Sequence, residues 1–125
     1  MCMQTPPRSY KDLVVWQKEI ALAKAVYRLT QNFPSAEKFG LIAQMRRAAV
    51  STPSNIAEGQ ARHTTGEFIQ FISHAEGSLA ELDTQLILSI ELKLCGSSNG
   101  SLAFELIAEL RKMLNALRRR LAARP

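Results

Sequence analysis

Few residues in this chain have the types and spacing that reaction chemistry needs. His63 and His74 stand eleven residues apart. Neither belongs to His-Glu-x-x-His or to a Cys/His cluster, the patterns that bring imidazoles onto one metal. Ser51, Ser54 and Ser78 lack the Gly-x-Ser-x-Gly turn that exposes a nucleophile. No Gly-x-x-x-x-Gly-Lys loop is present to cradle a nucleotide phosphate. Glu58, Glu67, Glu76 and Glu81 suggest carboxylate metal chemistry on facing helices. The di-metal bundle pattern also needs Glu-x-x-His pairs, and the sequence has none. Cys2 and Cys95 form no Cys-x-x-Cys pair, and Cys95 reads as a small buried hydrophobe in an apolar stretch. The expectation is therefore no catalytic residue, no metal and no cofactor.

The chemistry that remains is cationic. The 125 residues carry 16 Lys+Arg against 11 Asp+Glu, a formal charge of +5. The excess sits at the C-terminal end, where Arg111, Lys112, Arg118, Arg119, Arg120 and Arg124 follow one another without an acid. One reading is that these cations stabilise a helix C-terminus and keep the surface soluble. The other is an anionic partner, most often nucleic acid. A second unusual stretch is Gln44 to Arg62, where Ala48, Ala49, Ser51, Ser54 and Ala57 permit close backbone approach. Asn55 and Glu58 are neighbours on a helix surface there. Arg46 and Arg47 point about 100° apart. At least one can pair with an acid such as Glu58, Glu81 or Asp83 while the other stays exposed. The stretch reads either as a tight helix–helix contact with buried polar pairs or as a polar, cationic lining for a phosphate backbone.

These residues must be positioned by helices. Apolar residues are 46 % of the chain, enough for a packed core, and the length suits one domain. Ser9 with Asp12 resembles a helix start, followed by Leu13, Trp16, Ile20, Ala23 and Tyr27 at spacings of three and four. Asn32-Phe33-Pro34 ends that segment. Ser35 can cap a second helix, with Phe39, Ile42, Met45, Ala49 and Ile56 on its apolar side and Gly59 as its stop. Pro53 either kinks it or divides it with Thr52 as a new cap; one long, kinked helix is the favoured form. Thr64 and Glu67 match a capping box for the third helix, whose stripe runs Phe68, Phe71, Ile72, Ala75, Leu79, Leu82, Leu86 and Ile90. Gly96 is its expected stop. Ser101 can cap a fourth helix bearing Leu106, Leu110, Met113, Leu117 and Leu121. No segment alternates like a strand. The expectation is an all-α, antiparallel up-down four-helix bundle over 10–125, with 1–9 as an N-terminal extension. Extra apolar residues on the first helix (Leu22, Val26, Leu29) and the third (Leu86, Ile87, Leu88) suggest burial against a second subunit. No signal-like or membrane-spanning run appears, so a cytoplasmic protein with no membrane partner is expected.

Over residues 10 to 95 the sequence resembles the four-helix-bundle family of 23S ribosomal RNA intervening-sequence proteins, also called S23 ribosomal proteins. The resemblance rests on Tyr10-Lys11-Asp12-Leu13, Trp16-Gln17-Lys18, Tyr27-Arg28-Leu29-Thr30 and Phe33-Pro34. It continues through Phe39-Gly40-Leu41, Gln44, Arg46-Arg47-Ala48-Ala49-Val50-Ser51, Pro53-Ser54-Asn55-Ile56-Ala57-Glu58-Gly59 and Arg62. It closes with Glu67-Phe68, Gly77-Ser78-Leu79-Ala80-Glu81-Leu82 and Thr84-Gln85. The likeness implies a bundle kinked at Pro53 that assembles into a ring-like homo-oligomer, with a pentamer favoured. Related accessory proteins of diversity-generating retroelements form such barrels and engage nucleic acid through basic surfaces. Trp16, Gln44, Ser51, Pro53, Asn55, Glu58, Gly59, Gly77 and Glu81 are its structural or interface positions. Thr52 departs from the β-branched aliphatic residue common there, and the match fades beyond about residue 96.

The leading expectation is a non-enzymatic oligomeric scaffold that binds RNA or DNA through phosphate contacts. Arg46, Arg47 and Arg62 are candidates on the bundle, with Lys112, Arg118, Arg119 and Arg120 on the fourth helix. The alternative is a protein–protein interaction module whose cations only solubilise it.

Overall fold

A computed structural model describes residues 9–37 and 40–124. Phe39, expected on the second helix, and Cys2 lie outside the described residues. Four helices form: α1 (Val14–Thr30), α2 (Leu41–Gln60), α3 (Thr65–Glu91) and α4 (Ser101–Ala122), with no strand among the described residues. Each helix packs against its chain neighbours, and α4 returns to close on α1. This is an up-down four-helix bundle. The α2–α3 hairpin is its most extensive contact.

The helix starts differ from expectation in three places, each for a local reason. The Ser9 hydroxyl does cap, accepting the Lys11 N–H at 3.2 Å. The turn it caps is a 3-10 turn, Tyr10–Asp12, and extended Leu13 separates it from α1. Ser35 likewise opens only a 3-10 turn, Ser35–Glu37. α2 begins at Leu41, whose N–H reaches the Glu37 carboxylate at 3.4 Å. Ser101 is the first residue of α4 and caps nothing; the 3-10 turn before it is closed by Asn99 Oδ1, which accepts the Gly96 N–H at 3.1 Å.

The α3 start is as the sequence indicates. The Thr64 hydroxyl accepts the Glu67 N–H at 3.1 Å and donates to the Glu67 carboxylate at 2.9 Å. Its end comes earlier than Gly96. Lys93 takes the left-handed conformation, φ 61°. Leu94 N–H reaches Ser89 O and Lys93 N–H reaches Ile90 O, both at 2.9 Å. That paired closure satisfies the last carbonyls with lysine where glycine is usual.

α2 runs unbroken through Pro53 and through Gly59 to Gln60. Proline has no N–H for the Ala49 carbonyl four residues back. The buried Thr52 hydroxyl supplies the missing donor, reaching Ala49 O at 3.1 Å. Thr52 thus repairs the helix from within rather than starting a new one. Gly59 lies inside the last turn because α3 crosses there: a Cβ would stand 2.7 Å from Phe71 Cβ and 2.9 Å from the Phe68 ring.

The core is drawn from all four helices. Ile72, Ala75, Leu79, Leu82 and Leu86 of α3 are fully buried, as their spacing predicts. α1 turns a different face inward from the one expected. Val15, Glu19, Leu22, Val26 and Thr30 are buried, while Trp16, Ile20 and Ala23 are half-buried and Tyr27 is exposed. Two polar residues in the inward line made the neighbouring face look more apolar. On α4, Ala103, Ile107, Leu110, Leu114 and Leu121 point in, with Leu106, Met113 and Leu117 packed beside them. Each fully buried leucine contributes roughly 1.5–3 kcal/mol relative to exposure.

Candidate nucleic-acid interface

The basic side chains divide into those the bundle uses and those it leaves in water. Arg46 belongs to the first group. Its Nε donates to the Thr30 hydroxyl at 2.9 Å, and Nη2 reaches the Tyr27 carbonyl at 3.4 Å. The guanidinium lies 4.5 Å from the centre of the Tyr27 ring. Thr30 in turn donates to Val26 O at 2.8 Å. No carboxylate is involved, contrary to the expected pairing: Arg46 sits at the C-terminal end of α1, where a cation is favourable. Arg118 is also engaged, donating to Glu76 at 2.8 Å and to Asn115 at 3.1 Å. Lys18 pairs with Glu109 at 3.0 Å and ties α1 to α4.

The second group holds Arg47, Lys112, Arg119 and Arg120, all exposed and, among the described residues, without an ion pair. Lys112 and Arg119 are two turns apart on α4, on the side away from Leu110, Leu114 and Leu121. Arg111 and Arg124, outside the expected set, are exposed as well. Arg62 is exposed but held, its guanidinium 4.8 Å from the centre of the Phe71 ring. Cation–ring contacts of this kind fix orientation at little cost to charge.

The small-residue stretch on α2 resolves into a polar clasp. Ser51 Oγ and Ser78 Oγ lie 2.8 Å apart across the α2–α3 contact. Asn55 Nδ2 donates to Ser51 O at 2.8 Å and to Ser51 Oγ at 2.9 Å. The Ser51–Ser78 contact joins α2 to α3, and Asn55 holds Ser51 from within α2. Gln44 and Glu58 are exposed, and Glu81 is exposed while accepting from Gln85 Nε2 at 3.2 Å. Gly77 is exposed, and a Cβ there would meet nothing within 4 Å. Trp16 packs edge-on to Tyr10, ring centres 5.3 Å apart. With Ile20, Ala23, Val50, Pro53 and Ala57 it lines an outward apolar groove of about 280 Å³ between α1 and α2.

One end of the bundle gathers the start of α1, the α2–α3 turn and the end of α4. A cleft of about 360 Å³ opens there, with Leu13, Phe68, Leu117 and Leu121 among its walls and Arg62, His63 and Arg124 beside them. Sequence reasoning set His63 aside as a metal ligand and did not connect it with Arg124. Only the closing of the bundle brings them together.

The least expected polar residue is inside. Glu19 is fully buried, and neither carboxylate oxygen has a hydrogen-bond partner. Burial pushes its carboxyl from 4.5 up to about 9. Cys95, expected to be buried, is only half-buried, and the same cause raises its thiol. Among the described residues no group of three or more His, Cys, Asp and Glu is gathered to hold a metal ion. No described helix is long and apolar enough to cross a membrane.

The family model described as 23S rRNA-intervening sequence protein matches residues 11–116. No curated protein matches the chain.

Proposed function

Because the chain belongs to the 23S rRNA-intervening sequence protein family, we propose that it is a non-enzymatic helical scaffold that assembles with copies of itself and binds RNA or DNA through phosphate contacts. The observation that carries this reading is the exposed, unpaired set Lys112, Arg119 and Arg120 on α4, continued by Arg62 and Arg124 at the bundle end. Arginine suits phosphate because its planar fork donates two parallel hydrogen bonds. Arg46 and Arg118 leave the contact set, since Tyr27, Thr30 and Glu76 already hold them. Arg47 remains a peripheral contact on α2.

Backbone contacts of this kind read little sequence and weaken with salt. Retention of an RNA duplex should fall steeply between low and physiological salt, as each released counterion adds to the slope. Replacing Lys112, Arg119 and Arg120 together by Gln should flatten that slope. A salt-independent interaction would end the reading.

Self-association is supported by apolar surface the single chain leaves uncovered. The α1–α2 groove is one area. Ile87 and Leu88 on α3, with Leu92 just past its end, are another, each about half exposed. We propose a ring of five, with α2 bent at Pro53 to follow its curvature. Light scattering should then give about five times 13.9 kDa. The same apolar areas favour a second reading, in which the assembly recruits another protein and no polynucleotide. Under that reading the triple Gln variant keeps its partner and the parent retains no RNA.

A further inference from the structure

We infer that the cleft at the α2–α3 end of the bundle seats one nucleotide of a bound strand, its base on the apolar wall and its phosphate at the cationic rim. This rests on the nucleic-acid reading above and adds a defined place to it. The cleft, about 360 Å³, falls within the usual size range of small-molecule sites. Its wall combines an aromatic ring, Phe68, with Leu13, Leu117 and Leu121, a surface that suits the flat face of a base. Arg62, His63 and Arg124 stand at the rim. Arg62 is already oriented by its stacking on Phe71.

The rim also includes the first turn of α3, a helix of 27 residues. Thr64 and Glu67 satisfy one another there, whereas the N–H groups of Thr65 and Gly66 have no partner within the helix. Gly66 leaves the approach open, since a Cβ would meet nothing within 4 Å. Glu58 and Glu67 line the adjacent depression and not this cleft, although the Glu67 carboxylate accepts from Thr64 on its rim at 2.9 Å. Apolar wall and anion-seeking rim therefore coincide at one place. No other depression described in this molecule combines them without an acid and with an aromatic face.

The test uses the full chain with adenosine monophosphate, inorganic phosphate and a short 5′-phosphorylated oligoadenylate in ribo- and deoxyribo- forms. Adenosine monophosphate should shift the NMR signals of Leu13, Phe68, Leu117 and Leu121, and inorganic phosphate should not. Arg62→Gln with Arg124→Gln should abolish those shifts and weaken oligonucleotide binding roughly tenfold. Both residues are exposed, so the helical circular dichroism of this variant should match the parent. Lys112→Gln with Arg119→Gln should weaken the oligonucleotide but leave the shifts intact. A difference between the ribo- and deoxyribo- forms would say which sugar the cleft accepts; binding of either supports it. Unmoved cleft signals, equal effects from inorganic phosphate, or wild-type affinity in the Arg62/Arg124 variant would overturn the cleft alone. A parent protein that retains neither these oligonucleotides nor an RNA duplex would overturn the wider reading with it.

Discussion

Glu19 on α1 and Thr52 on α2 are buried to the same extent, yet the bundle treats them in opposite ways. Thr52 fills a need created next door. Pro53 leaves the Ala49 carbonyl without its helical donor, and the Thr52 hydroxyl takes that place at 3.1 Å. Glu19 has no such complement: among the described residues neither buried oxygen has a hydrogen-bond partner. The contrast shows that burial alone does not decide what a polar group costs. The decisive matter is whether a partner was built for it.

The largest effect should come from breaking the unsatisfied side. The Glu19 carboxyl titrates near 9 in the folded chain against 4.5 ordinarily. Between those values the folded state holds a proton that the unfolded state has released. Stability must therefore fall as pH rises through that window, by up to about 1.4 kcal/mol per pH unit. Glu19→Leu should raise stability by about 2 kcal/mol or more at pH 7 and flatten the pH dependence, as urea melts at pH 5 and pH 8 would show. A variant less stable than the parent at pH 8 would mean that Glu19 has a partner after all.

The satisfied side should respond with the opposite sign and a smaller size. Thr52→Val leaves the Ala49 carbonyl bare and should cost about 1–3 kcal/mol in chemical denaturation. In a Pro53→Ala background the backbone donor returns, and the same substitution should cost much less. Equal costs in both backgrounds would remove the compensation. Smaller again is the partly buried clasp: Ser51→Ala, which releases Ser78 and Asn55, should cost about 1 kcal/mol. The smallest change concerns backbone shape. Lys93 occupies a conformation that glycine adopts without strain, so Lys93→Gly should stabilise by about 0.5–1 kcal/mol, read as a small rise in melting temperature.

The same contrast explains what could be read in advance. α3 was legible because its capping pair and its apolar stripe agree, and no polar residue interrupts the stripe before Gln85. The four-helix architecture follows from such spacing. α1 was legible as a helix but not in its orientation, since Glu19 and Thr30 sit in the line that faces the core. A pattern of hydrophobic residues cannot point to a face that carries a buried acid. The α3 stop was read at Gly96 because glycine is the usual residue there, whereas the backbone closes on Ser89 and Ile90 with Lys93. For the cations, the sequence indicated which residues are basic but not which are occupied. Arg46 finds Tyr27 and Thr30 across the α1–α2 contact, and Arg118 finds Glu76 from 42 positions away. Those pairings depend on helix packing, which no local pattern encodes.

Gly59 reaches further than its own turn. The ring of Phe68 that rests against its bare Cα on one side is also part of the cleft wall. Any side chain at 59 would force that ring, and α3 at Phe71, to shift. The aperture at this end of the molecule is thus gauged by the absence of a single methyl group, at a position that a ligand in the cleft need never touch.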